Sequence, residues 1–159
     1  MTDSIPAVHD SFCVERIFPQ SPASVFAAFA EKDLVRRWRV EDANCEVHEF
    51  SFDFRVGGRE VSRFTFAGGP EIRLDAEFQH IVPDTRIVFV YRMAAGDTPL
   101  SVSLTTIEFA PWQGGTQLTF TEQGAFFAGP ESAKGREEGC RFLMDKLAAE
   151  LSRQEALPA

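Results

Sequence analysis

At 159 residues, 44% hydrophobic and 25% charged, the chain has the length and composition of one globular domain rather than of a disordered segment. Its net charge of −8 offers no basic stripe for phosphates or for an anionic membrane surface, so neither nucleic acid nor membrane is expected as a partner. Three scattered cysteines, Cys13, Cys45 and Cys140, form neither a disulfide framework nor a metal-ligand spacing.

Phe12 to Phe18 reads as a first strand that Pro19 ends. Ser21-Pro22 then supplies an N-cap with proline at the first helical position, and Val25, Phe26 and Phe29 give the helix one apolar face. Asp33 starts a second short helix carrying Leu34 and Trp38. From Cys45 the period becomes strand-like. Glu46 to Phe54 places Phe50, Phe52 and Phe54 on one face, Gly57-Gly58 signals a hairpin, and Arg59 to Phe66 returns. After the turn at Gly68-Gly69-Pro70, Ile72, Leu74, Ala76 and Phe78 alternate with polar residues as a half-buried strand does. Ile87 to Met93, Leu100 to Phe109 and Thr116 to Glu122 are three further strands, giving an antiparallel meander of six and, with the first strand, seven.

Glu131 to about Arg153 is predicted as a terminal helix with Phe142, Leu143, Lys146, Leu147 and Leu151 marking one side. Its ~23 residues span roughly 35 Å, the length of a ten-residue strand, so the helix can lie along the whole concave face of the sheet. The expected fold class is therefore α+β, with a curved sheet wrapped around the last helix. No linker or repeat interrupts the pattern, and residues 1–159 are expected to form a single domain with its core at about 12–153. Met1 to His9 lacks a basic region followed by an apolar run, and no apolar stretch approaches the ~18 residues of a membrane span, so a cytoplasmic protein is expected.

Several segments resemble the START-like, or SRPBCC, superfamily and its helix-grip fold. Arg16 through Phe29 resembles the superfamily's opening strand, Ser-Pro turn and apolar helix, and Leu34-Val35-Arg36-Arg37-Trp38 looks like the segment that follows. Phe54-Arg55-Val56-Gly57-Gly58-Arg59 resembles its Arg-x-Gly-Gly hairpin. Ala76-Glu77-Phe78 through Ile81-Val82-Pro83, then Arg86-Ile87-Val88-Phe89, resembles its central hairpin. Gly114 through Thr121, with Gly124, looks like its last strand. Together they are similar to the branch related to the activator of the heat-shock-protein-90 ATPase, over roughly residues 12 to 153. Two positions depart from it. Members often carry tryptophan where Cys140 follows Gly139, and a second tryptophan where Arg39 follows Trp38, so aromatic bulk is missing near the expected pocket.

A helix lying across a concave sheet leaves a cavity, the usual small-molecule site. Sixteen Phe against one Tyr suits either a dry core or the wall of such a cavity. Strand parity and helix facing nominate Phe64, Phe66, Phe78, His80, Phe89, Tyr91, Leu118, Phe120, Phe142 and Met144 as lining residues for a ligand. His80 shares the parity of Phe78 and points inward unless the strand has ended there; with Glu122 it is a candidate catalytic group. Glu122 lies on the Leu118 and Phe120 face, where an unpaired carboxylate is costly, and is placed at the sheet rim. Arg59 and Arg63 are assigned to a solvated outer face, as is the helical run Lys134 to Glu138, while Cys140 is read as a free buried thiol.

No metal is implied, because His9, His48 and His80 show no ligand pattern. No cofactor is implied either, since the glycine pairs are turns and not phosphate loops. The leading expectation is a protein that holds a small apolar molecule. The rivals are a cyclase- or hydratase-like enzyme using the same pocket, which the superfamily includes, and a co-chaperone-like interaction domain with a chaperone partner, suggested by the family name. A homodimer is compatible with such a domain.

Overall fold

The computed structural model describes residues 5–157. Strand β1 (Val8–Phe18) ends at Pro19, and the Ser21 hydroxyl accepts from the Ser24 amide at 3.2 Å to cap α1 (Pro22–Ala30). Helix α2 (Lys32–Val35) follows and widens into a π-turn, Arg36–Val40. The strands β2 (Cys45–Phe52), β3 (Arg59–Phe66), β4 (Glu71–Val82), β5 (Arg86–Ala95), β6 (Thr98–Trp112) and β7 (Gly115–Phe126) form the meander, followed by α3 (Ser132–Glu155).

All seven strands belong to one antiparallel sheet in the order β1-β7-β6-β5-β4-β3-β2, the helix-grip arrangement. The strand first in sequence thus pairs with the last, and the two short helices carry the chain from one sheet edge to the other. Helix α3 packs chiefly on β1 and the π-turn, and α1 on α2 and β6. The buried core joins Val14 and Phe18 of β1, Val25 and Phe29 of α1, Trp38, Phe109, Leu118, and Met144, Leu147 and Leu151 of α3. Among the described residues no helix is long and apolar enough to cross a membrane.

The buried face of α3 is Ala133, Cys140, Met144, Leu147, Glu150 and Leu151. Phe142 lies two residues from both Cys140 and Met144, about 200° around the helix, and is 55% exposed, contrary to the expectation that it faces the sheet. In β4 a bulge falls between Phe78 and His80. The added residue reverses the alternation, so His80 pairs with Val88 and is exposed instead of pointing inward.

The Arg-x-Gly-Gly hairpin has a mechanical basis. Gly57 takes φ +82°, and its amide donates to the Phe78 carbonyl at 2.8 Å. A Cβ on Gly58 would lie 2.1 Å from the Asp53 carbonyl oxygen, so the β2–β3 turn closes only without a side chain there. Gly58→Ala is expected to cost about 1–3 kcal/mol in urea unfolding, because backbone and not a flexible side chain must move.

Candidate functional site

The concave face of strands β3 to β7, α3, and the end of α1 with the π-turn line a cavity of about 530 Å3, within the range of about 300–1,000 Å3 usual for small-molecule sites. Its sheet wall is Leu74, Ala76, Phe78, Phe89, Tyr91, Met93, Leu100, Ile107 and Phe120; Phe29 and Trp38 close one side, and Cys140, Leu143 and Met144 of α3 form the roof. Trp38 is held from behind, its Nε1 donating to the Ala28 carbonyl at 2.8 Å and its ring edge-on to Phe29. An aromatic cluster of Phe52, Phe54, Phe78 and Phe89 stiffens the far wall, with ring centroids 5.0–6.1 Å apart.

Two buried ion pairs interrupt this apolar lining. In the sheet register Glu60, Ala76, Tyr91 and Ser103 stand in a row across β3 to β6. At one end Glu60, 2% exposed, pairs with Arg39 of the π-turn and accepts from the Ser62 hydroxyl at 3.3 Å. Towards the other end Glu122, also 2% exposed, gathers three donors on Oε2: Tyr91 Oη at 2.7 Å, Ser103 Oγ at 2.7 Å and Arg136 Nη1 at 3.1 Å. Arg136 also donates to Tyr91 Oη and to Ser101 Oγ, each at 2.7 Å, and its guanidinium lies 5.3 Å from the Phe126 ring centroid. Burial first, and then the neighbouring carboxylate, push the Tyr91 phenol well above its ordinary range, so it remains a proton donor to Glu122.

Of the side chains nominated from sequence, Phe78, Phe89, Tyr91, Phe120 and Met144 line the cavity, and Glu122 lies within it rather than at the rim. Five others lie elsewhere. Leu118 is wholly buried in the core beside the cavity, and Phe64 is half-buried further along β3. Phe66 is 48% exposed at the end of β3, and Phe142 and His80 face outward. Arg63 sits on the outer face between Glu49 and Glu71, and Arg59 near Asp75. Arg136 breaks the expectation of a solvated run, because it lies one turn before Cys140 on the inward stripe. Arg39 and Glu60 were not nominated; an acidic residue at an inward strand position was the available signal.

The sequence profile of the family described as Activator of Hsp90 ATPase homolog 1-like protein matches residues 19–152. The chain belongs to that family. To this Hsp90-activator-like chain the solved structure of the Mll3558 protein from Rhizobium loti is 64% identical, covers 91% of this chain and 98% of its own, and superposes with a TM-score of 0.84. An uncharacterised protein from Rhizobium leguminosarum is 33% identical over 92% of this chain and 97% of its own, at a TM-score of 0.87. Protein SA2116 of unknown function from Staphylococcus aureus shares the fold at 18% identity and a TM-score of 0.79, covering 95% of this chain and 98% of its own. No curated protein matches the chain.

The Cys140 side chain lies in the cavity roof. Burial, and then the charge of Glu122, push its thiol up to about 12, whereas Cys13 is exposed. Alkylation of the native protein near pH 8 should therefore label Cys13 and spare Cys140, because only the thiolate reacts. Peptide mass mapping reads the result; equal labelling would mean that the roof opens freely.

Proposed function

We propose that this Hsp90-activator-like protein binds a small, mainly hydrophobic molecule in the cavity between the sheet and α3. The observation that supports the reading is a cavity of about 530 Å3 walled mostly by apolar side chains, whose polar groups are few and held in place. Fixed polar groups in an apolar wall orient a guest without the cost of assembling the site on binding. The fold fits the same reading, since relatives in the SRPBCC superfamily commonly hold hydrophobic ligands.

Trp38 makes the proposal measurable. It lines the cavity, whereas Trp112, the other tryptophan, is 45% exposed at the end of β6. In the Trp112→Phe protein, titration with the neutral fluorophore N-phenyl-1-naphthylamine should quench Trp38 saturably with one-to-one stoichiometry. At a free concentration of 100 times Kd the fold should gain ~2.7 kcal/mol in urea unfolding. A titration that never saturates, with no gain in stability, would remove the proposal.

A further inference from the structure

Among the described residues, the charged side chains lining the cavity are Arg39, Glu60, Glu122 and Arg136. They cancel within two pairs, so the cavity offers no net charge to a guest. An ion entering it would give up its hydration without an uncompensated counter-charge in return, and in an apolar enclosure that loss decides against charged ligands.

The pair beside Tyr91 also retains unused hydrogen-bonding capacity of both kinds. Every hydrogen bond to Glu122 ends on Oε2, and those of Arg136 start from Nη1 and Nη2. The acceptor Oε1 and the donor Nε are left without partners among the described residues. A group that both donates and accepts satisfies this end of the cavity. A hydroxyl or a primary amide does so; a carboxylate only accepts, and an ammonium only donates.

We infer that the cavity selects an uncharged apolar molecule whose hydroxyl or amide head seats against Glu122 and Arg136. This rests on the ligand-binding reading and sharpens it to a ligand class.

The test uses Trp38 emission of the Trp112→Phe protein near pH 8, with decanol, decanoate and decylammonium as probes of equal chain length. Decanol is expected to bind about tenfold or more tightly than either ion. In Glu122→Gln the Arg136 charge is uncompensated, and the affinity of decanoate relative to decanol should rise by about tenfold. The wild-type comparison stands even if that variant does not fold. Similar affinity for all three probes, or a preference for either ion, leaves the ligand reading intact and overturns the selectivity. Failure of all three where the naphthylamine binds overturns it too. Failure of the naphthylamine as well removes both conclusions.

Discussion

Arg136→Met is expected to cost about 3–5 kcal/mol, because it strands the Glu122 carboxylate in an apolar enclosure. Glu122 is 2% exposed and the Arg136 side chain 16%, so water does little to screen the pair. Tyr91 and Ser103 continue to donate to Glu122 in the variant, but two neutral hydroxyls do not replace a guanidinium. Ser101 also loses its donor. Urea unfolding at constant pH measures the loss. Adding Glu122→Gln should restore most of it, since a neutral amide can still accept from Tyr91 and Ser103 and no charge is left buried. A loss under about 1 kcal/mol for the single variant would show that the pair behaves as an exposed one.

The second large effect concerns the roof. Cys140→Trp should fill part of the cavity, raise stability by about 1 kcal/mol, and weaken naphthylamine binding by about tenfold or more. The indole occupies space that is already open, so it buries apolar surface without displacing the core beneath α3. The two readouts move in opposite directions, which separates filling from damage. Weaker binding with weaker folding would mean overpacking, and unchanged binding would mean that the ligand sits away from the roof.

The fold was legible because its signals are local and repeated. The Ser21-Pro22 cap, the glycine pairs and the alternation from Ile72 to Phe78 each fix a boundary or a face on their own, and the meander follows from their order. Only part of the cavity could be read in the same way. Strand parity placed Phe78, Phe89, Tyr91 and Phe120 on the concave face, but it carries no information about a bulge one residue further on, and His80 was lost to that bulge. Phe142 is large and apolar, which suggests an inward position, but Cys140, Met144, Leu147 and Leu151 define the stripe of α3. That stripe, continued one turn back, reaches Arg136. An arginine there and a glutamate at an inward position of β7 are each improbable alone, and together they satisfy one another. Taken singly, Glu122 belongs at the rim and Arg136 in solvent. Arg39 and Glu60 escaped for the same reason, since their pairing joins the π-turn to β3 and only the folded chain brings the two together.

The pairing of β1 with β7 has a consequence for how the chain is made. During synthesis β1 emerges first, yet about a hundred residues separate it from the strand it needs. At about 5–20 residues per second that is a wait of roughly 5–20 s, with Phe12, Val14 and Phe18 uncovered. The hairpins from β2 to β7 can zip as each turn appears, whereas docking β1 must close one long loop and recruits α1 and α3 to the same core. Strand β1 cannot pair until β7 has been made, and an arrested chain that stops short of β7 leaves an apolar strand edge unpaired, open to pairing with another chain.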